Sequence, residues 1–180
     1  MDIDQKVWEV LCSEEAIRER IMKLGELITQ DYTHKNLYVV SLLRGSFIFA
    51  ADLVRCIDQK MKIDFMVSSS YENSLTTSGR VKITKDITED LTGYDVLVVD
   101  DIADSGLTMS HVISHLKTKN PESVKCCVLL NKPSRRLNEL EPDYVGFVIP
   151  DRFVVGYGLN YGDYYRNIPY VFAVSDQDRE

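Results

Sequence analysis

The sequence predicts an α/β fold with a mostly parallel central sheet flanked by helices. Three observations carry that reading. Val96–Val99 is short and continuously apolar, and Leu37–Leu43 is apolar apart from Ser41, as suits strands buried on both faces of a parallel sheet. Helical stretches with one apolar face alternate with such strands along the chain. No linker, repeat or low-complexity segment interrupts the alternation, so residues 1–180 read as one domain.

Each element follows in turn. Ser13-Glu14-Glu15 reads as an N-cap with acids in the first turn. Ile17, Ile21, Leu24 and Ile28 then share one face of a helix that packs on the sheet. Leu37–Leu43 is the first core strand, it ends at Arg44-Gly45-Ser46, and Phe47–Ile57 continues as an apolar helix. Lys62–Ser68 alternates, with Ile63, Phe65 and Val67 on one face. Ser70–Gly79 is a polar, hydroxyl-rich excursion before a strand at Arg80–Ile87. Val96–Asp100 is the central strand and Thr108–Lys117 the helix behind it. Pro121 marks a turn, and Val124–Leu130 is another buried strand. Tyr144–Ile149 and Phe153–Tyr157 are short strands split by Pro150-Asp151, and Tyr170–Val174 closes the sheet.

Composition narrows the function. A chain of 180 residues suffices for a full core, and 44% apolar with 27% charged residues is ordinary for a globular protein. The net charge of −7 argues against a generic nucleic-acid binder, though a local basic pocket is compatible with it. Met1–Lys6 lacks the basic start and apolar run of a signal peptide, and no stretch approaches the roughly 18 apolar residues of a membrane span. Cys12, Cys56, Cys126 and Cys127 form no CxxC pair and suit reduced, buried thiols in a cytoplasmic setting. His111 and His115 stand at a metal-compatible i, i+4 spacing, but no third ligand accompanies them.

The chemistry concentrates in Val96-Leu97-Val98-Val99-Asp100-Asp101-Ile102-Ala103-Asp104-Ser105-Gly106-Leu107-Thr108. An apolar strand ends in two adjacent acids, where open α/β sheets bind their ligands. Neighbouring carboxylates strain each other unless a cation or hydroxyl donors satisfy them. The small, hydroxyl-rich turn that follows opens a helix, whose first N–H groups are ready to hold a phosphate. Leu43-Arg44-Gly45 adds a fork of donors for phosphate oxygens and a glycine that admits close backbone approach.

The acidic run resembles the signature of the type I phosphoribosyltransferases, which bind 5-phosphoribosyl 1-pyrophosphate. The hypoxanthine (hypoxanthine-guanine) branch of that family is matched by Ser41–Ser46, Ser69-Ser70-Tyr71, Leu129–Pro133, Pro142–Phe147 and Ile149–Tyr161. The resemblance covers nearly the whole chain. It implies the family fold, with a small hood formed by the N- and C-terminal segments and a mobile lid about residues 70–80 that carries Ser70 and Tyr71. It implies a purine-salvage glycosyltransferase acting on hypoxanthine and guanine, with Mg2+. Alternatives are a transferase for xanthine or another base, and a non-catalytic regulator that binds the same donor.

The resemblance also implies roles. Arg44, Gly45, Asp100, Asp101, Asp104, Ser105, Gly106, Leu107, Thr108 and Arg166 would bind the donor, and a cis Leu43-Arg44 peptide belongs to this loop. Lys132, Phe153, Val154 and Asn160 would bind the purine. Lys132 would donate to its 6-oxygen, which selects oxo over amino because an ammonium has no acceptor to offer. Asp104 would be the catalytic base at N7, and Asp100, Asp101 and Asn160 would hold the metal. Asn160 stands where the family usually has Asp, so the ion loses a charged ligand there. Asp100 and Leu107 also depart, from a common Glu and a common polar residue. The implied partners are small-molecule substrates, with neither nucleic acid nor membrane, in a homodimer or homotetramer.

Overall fold

The computed structural model describes residues 8–70 and 81–174. The elements are β1 (Glu9–Cys12), α1 (Glu14–Asp31), β2 (Leu37–Leu43), α2 (Phe47–Cys56), β3 (Met61–Ser70), β4 (Val81–Lys85), β5 (Asp95–Ala103), α3 (Leu107–Lys117), β6 (Ser123–Asn131), a 3-10 turn at Pro133–Arg135, β7 (Tyr144–Val148), β8 (Val154–Val155) and β9 (Val171–Ala173). Six strands form the main sheet in the order β4-β3-β2-β5-β6-β7. All neighbours in it are parallel except β3 and β4, so the expected α/β fold is present.

Burial explains why β5 is central. Val96, Leu97, Val98 and Val99 are fully buried, but successive side chains point to opposite faces. Leu97 and Val99 join the core under α1 and α2, with Ile17, Leu24 and Phe49. Val96 and Val98 join the core under α3, with Met109, Val112 and Leu116. One apolar run therefore seals two layers. Ser13 accepts a hydrogen bond from the Ala16 N–H, the cap expected for α1. Arg20 on α1 donates to the carbonyls of Val145 and Gly146, at 2.6 and 2.9 Å, which ties the helix to β7.

The C-terminal strand departs from expectation. β9 does not close the main sheet. It pairs antiparallel with β1 and with β8 in a separate three-stranded sheet. β1 carried no clear sequence signal because only four residues form it, three of them partly or fully exposed. An aromatic core fixes this small sheet: Trp8 stacks on Phe172 with ring centroids 4.5 Å apart, next to buried Val155, Ile168 and Val174. The metal-compatible histidine pair also resolves. His115 is bonded to Asp86 at 2.8 Å, and among the described residues no three His, Cys, Asp or Glu side chains converge as metal ligands.

Leu97→Ala should cost about 2–5 kcal/mol, since it opens a cavity under α1 that the sheet cannot collapse into. Urea unfolding checks this: the midpoint should fall while the slope stays constant.

Candidate active site

Parallel pairing brings the C-terminal ends of β2, β5 and β6 to one edge. β2 follows β5 only as far as Ser41 opposite Val99. β5 stays paired with β6 through Ala103 opposite Asn131. The acids therefore do not end the strand, as the sequence suggested; they sit on it, just past the point where β2 turns away. The turn after β2 contains a cis Leu43-Arg44 peptide. The Ser46 hydroxyl, fully buried, donates to the Leu42 carbonyl at 2.6 Å and bonds the Ser41 hydroxyl at 2.7 Å.

The two carboxylates are strained neighbours. Asp100 Oδ1 accepts from the Asp101 N–H at 3.0 Å, and Asp101 Oδ1 accepts from the Ile102 N–H at 2.8 Å. Burial, and then the charge of Asp101, push the Asp100 carboxyl well above the usual carboxylate range. Burial also raises Asp101, opposed by hydrogen bonds from Asp100 and the backbone and by the positive charge of Arg166. Gly45 makes room for this pair: a Cβ there would lie 1.7 Å from Asp101 Oδ2.

Asp100, Asp101, Asp104, Ser105, Gly106 and Thr108 line one cavity of about 320 Å³, within the range of small-molecule sites. Gly106 takes φ +81°, and no side chain caps the helix that starts after it. The amides at the start of α3 thus adjoin the same cavity as the acids. Arg44 and Leu107 are exposed and are not among its lining residues. Arg166 lies nearby, its Nη1 donating to the Gly158 carbonyl at 2.6 Å.

Lys132 adjoins this cavity through the backbone, its N–H donating to the Ala103 carbonyl at 2.9 Å. Its side chain is buried, with Nζ 4.0 Å from Asp151 Oδ1. Phe153 is half-buried with Tyr161 edge-on at 5.8 Å, and Val154 is buried in β8. The Asn160 side-chain amide donates to the Gly162 carbonyl, which leaves its Oδ1 as an acceptor. Tyr71 and the Ser70 side chain lie outside the described residues. Sequence reasoning missed Arg135, which lines the cavity and donates from Nε to Asp104 Oδ1 at 3.2 Å. The tandem Arg135-Arg136 directly after Lys132-Pro133-Ser134 was the signal. A larger, mostly apolar groove of about 640 Å³ between α1, α2 and residues 167–169 holds none of these groups. Chemistry rather than size locates the site.

A parallel sheet whose central strand carries paired acids and an amide-lined turn defines a class of protein. The family model described as phosphoribosyl transferase domain matches residues 8–162, and the chain belongs to that family. It is 44% identical over 176 residues to the hypoxanthine-guanine phosphoribosyltransferase of Aquifex aeolicus, covering 97% of this chain and 99% of that one. It is 46% identical over 165 residues to the bifunctional protein TilS/HprT of Listeria monocytogenes, and there it spans only about a quarter of the relative's length (26%). Among solved structures, a hypoxanthine-guanine phosphoribosyltransferase of Bacillus anthracis superposes with a TM-score of 0.90 at 44% identity, over 94% of this chain and 100% of that one.

The acid pair has a thermodynamic consequence. Because its folded pKa is raised, Asp100 holds its proton more tightly in the native state than in the unfolded chain. The penalty is absent below the unfolded value of about 3.9, grows as pH rises through the folded value, and is complete above it. Asp100→Asn should therefore stabilise the free protein at pH 7 by about 0.5–2 kcal/mol. Thermal melts from pH 4 to 8 should show the gap over wild type widening with pH; a constant gap would refute the cause.

Proposed function

We propose that the chain transfers the 5-phosphoribosyl group from phosphoribosyl pyrophosphate to N9 of hypoxanthine, and of guanine, with release of pyrophosphate. The products are inosine and guanosine 5′-monophosphate, so the reaction belongs to purine salvage. The observation that carries this reading is one cavity lined by Asp100, Asp101, Asp104, Ser105, Gly106 and Thr108, adjoined by a buried lysine, Lys132. The names of the relatives agree with it.

In this reading the bond from ribose C1 to the pyrophosphate oxygen breaks as the bond to N9 forms. Positive charge builds on the sugar, and the negative potential of Asp100 and Asp101 stabilises it. These two also accept hydrogen bonds from the ribose hydroxyls. Ser105, Gly106, Leu107 and Thr108 hold the 5′-phosphate with backbone amides and hydroxyls. Arg44, Gly45 and Arg166 hold the pyrophosphate. Lys132 donates to the purine 6-oxygen, while Phe153 stacks on the ring and Val154 and Asn160 border its edge. Asp104 takes the proton that the purine sheds at N7. Holding both substrates in line supplies a large part of the acceleration.

The acid pair suits a divalent cation. Its carboxylates are hard oxygen donors, both raised by burial and Asp100 further by the charge of Asp101, and magnesium takes one or two carboxylates with substrate phosphates and water completing its shell. Asp100, Asp101 and the Asn160 carbonyl oxygen would hold it. Bound there, it supplies positive charge to the departing pyrophosphate.

By resemblance, Ser70 and Tyr71 close over the site, since a developing sugar cation must be kept from water. The small sheet of β1, β9 and β8 serves as a hood on the purine side. Among the described residues no helix is long and apolar enough to cross a membrane, and four unpaired thiols suit the cytoplasm. A homodimer or homotetramer completes the proposal.

A panel of hypoxanthine, guanine, xanthine and adenine, with the donor and magnesium, tests the reaction through pyrophosphate release. Hypoxanthine and guanine should be consumed and adenine refused; no release with any base would end the proposal. Asp104→Ala should lower kcat by roughly 10²-fold or more, and near-native turnover would exclude it as the base. Chelation should abolish turnover, and Asn160→Asp should lower the magnesium concentration that restores half of it.

A further inference from the structure

The segment after the 3-10 turn braces the phosphate turn from behind, and the brace centres on Arg136. Its Nη1 donates to the Asp104 carbonyl at 2.7 Å. Its Nη2 donates to Asn131 Oδ1, at the buried end of β6 and next in sequence to Lys132. Its Cδ fills the space beside Gly106, where an added Cβ would lie 2.8 Å away. Two flanking contacts run in the same direction. The Leu137 N–H donates to the Ser105 carbonyl at 2.9 Å. Asn138 donates to Ser110 Oγ at 2.8 Å on the first turn of α3.

We propose that Arg136 is a positioning residue that fixes the distance between the phosphate turn and the purine-reading end of β6. A planar guanidinium spans two acceptors on different elements with defined geometry, which an ammonium cannot reproduce. β5 and β6 already share a ladder up to Ala103 and Asn131. Beyond that point the ladder ends, and Arg136 continues the link to the Asp104 carbonyl, beside the Leu137 N–H bond to Ser105. Its half-buried side chain is not among the residues that line the cavity, so it works through Asp104–Thr108 and Lys132. A nucleoside 5′-monophosphate occupies both subsites at once and therefore reads their separation. A free base occupies one and does not.

The inference rests on the proposed function, and its test separates the two. Binding of inosine 5′-monophosphate and of hypoxanthine is measured by calorimetry on wild type, Arg136→Met, Arg136→Lys and Asn131→Ala, each checked for folding by circular dichroism. Arg136→Met and Arg136→Lys should weaken the nucleotide by roughly 10- to 100-fold, the scale of a displaced reacting group, and leave hypoxanthine binding as in wild type. Asn131→Ala cuts the bridge at its other end and should act in the same direction. The Arg136→Met/Asn131→Ala double variant should lose less than the product of the two single losses, because both remove one link. Asn131→Ala carries the test if the Arg136 variants fail to fold. Unchanged nucleotide affinity in a folded variant overturns the inference. So does recovery of affinity in Arg136→Lys, which would show that charge alone matters. If wild type binds no nucleotide, the functional reading itself falls, and this inference with it.

Discussion

The structure is organised around two carboxylates that repel each other. Asp100 and Asp101 occupy consecutive positions on the central strand, partly withdrawn from water, and their raised pKa values record the cost. A fold keeps such a pair only if the rest of the molecule holds the strand rigidly. Here the four residues before the acids are fully buried and split between two cores. The strand cannot slip by one residue without sending its apolar side chains to the wrong layers. The stability of the core thus fixes the position of the strained site.

The local environment tempers the repulsion without removing it. Each acid accepts one backbone N–H, and Arg166 places positive charge near Asp101. Gly45 lets the turn after β2 come close enough to confine the pair. A pocket preloaded with negative potential and bordered by helix-start amides is suited to a ligand that carries both cationic character and phosphate. An ionising sugar phosphate has both. In the proposed reading, charge balance within the cavity accounts for the coexistence of acids and a turn that would hold phosphate, which would otherwise oppose each other.

Adjacent subsites are joined through backbone as well as side chains. Lys132, which directly follows β6, donates its N–H to the Ala103 carbonyl at the end of β5, so the group proposed to read the base is tied to the acid strand. Arg135 and Arg136, side by side in sequence, divide their work: one contacts the Asp104 carboxylate, the other its carbonyl. Asp104 is thereby held at both its side chain and its main chain, as the role of base proposed for it would require.

Much of this was written in the sequence. The continuous apolar runs fixed the parallel strands because a doubly buried strand admits no polar alternation. The run from Val96 to Thr108 marked the site because adjacent acids followed by a small-residue turn have few other uses. Other features depended on contacts between distant residues. Whether β9 joined the main sheet or a second one was decided by the stacking of Phe172 on Trp8, residues 164 positions apart in the sequence. Where β5 ended was decided by β6, which stayed paired after β2 had turned away. The reach of Arg136 to Asp104 and Asn131 likewise has no local signature. Periodicity and motif report what each segment can bury or bind. Which partner it meets is settled by non-local packing, and only the tertiary structure decides that.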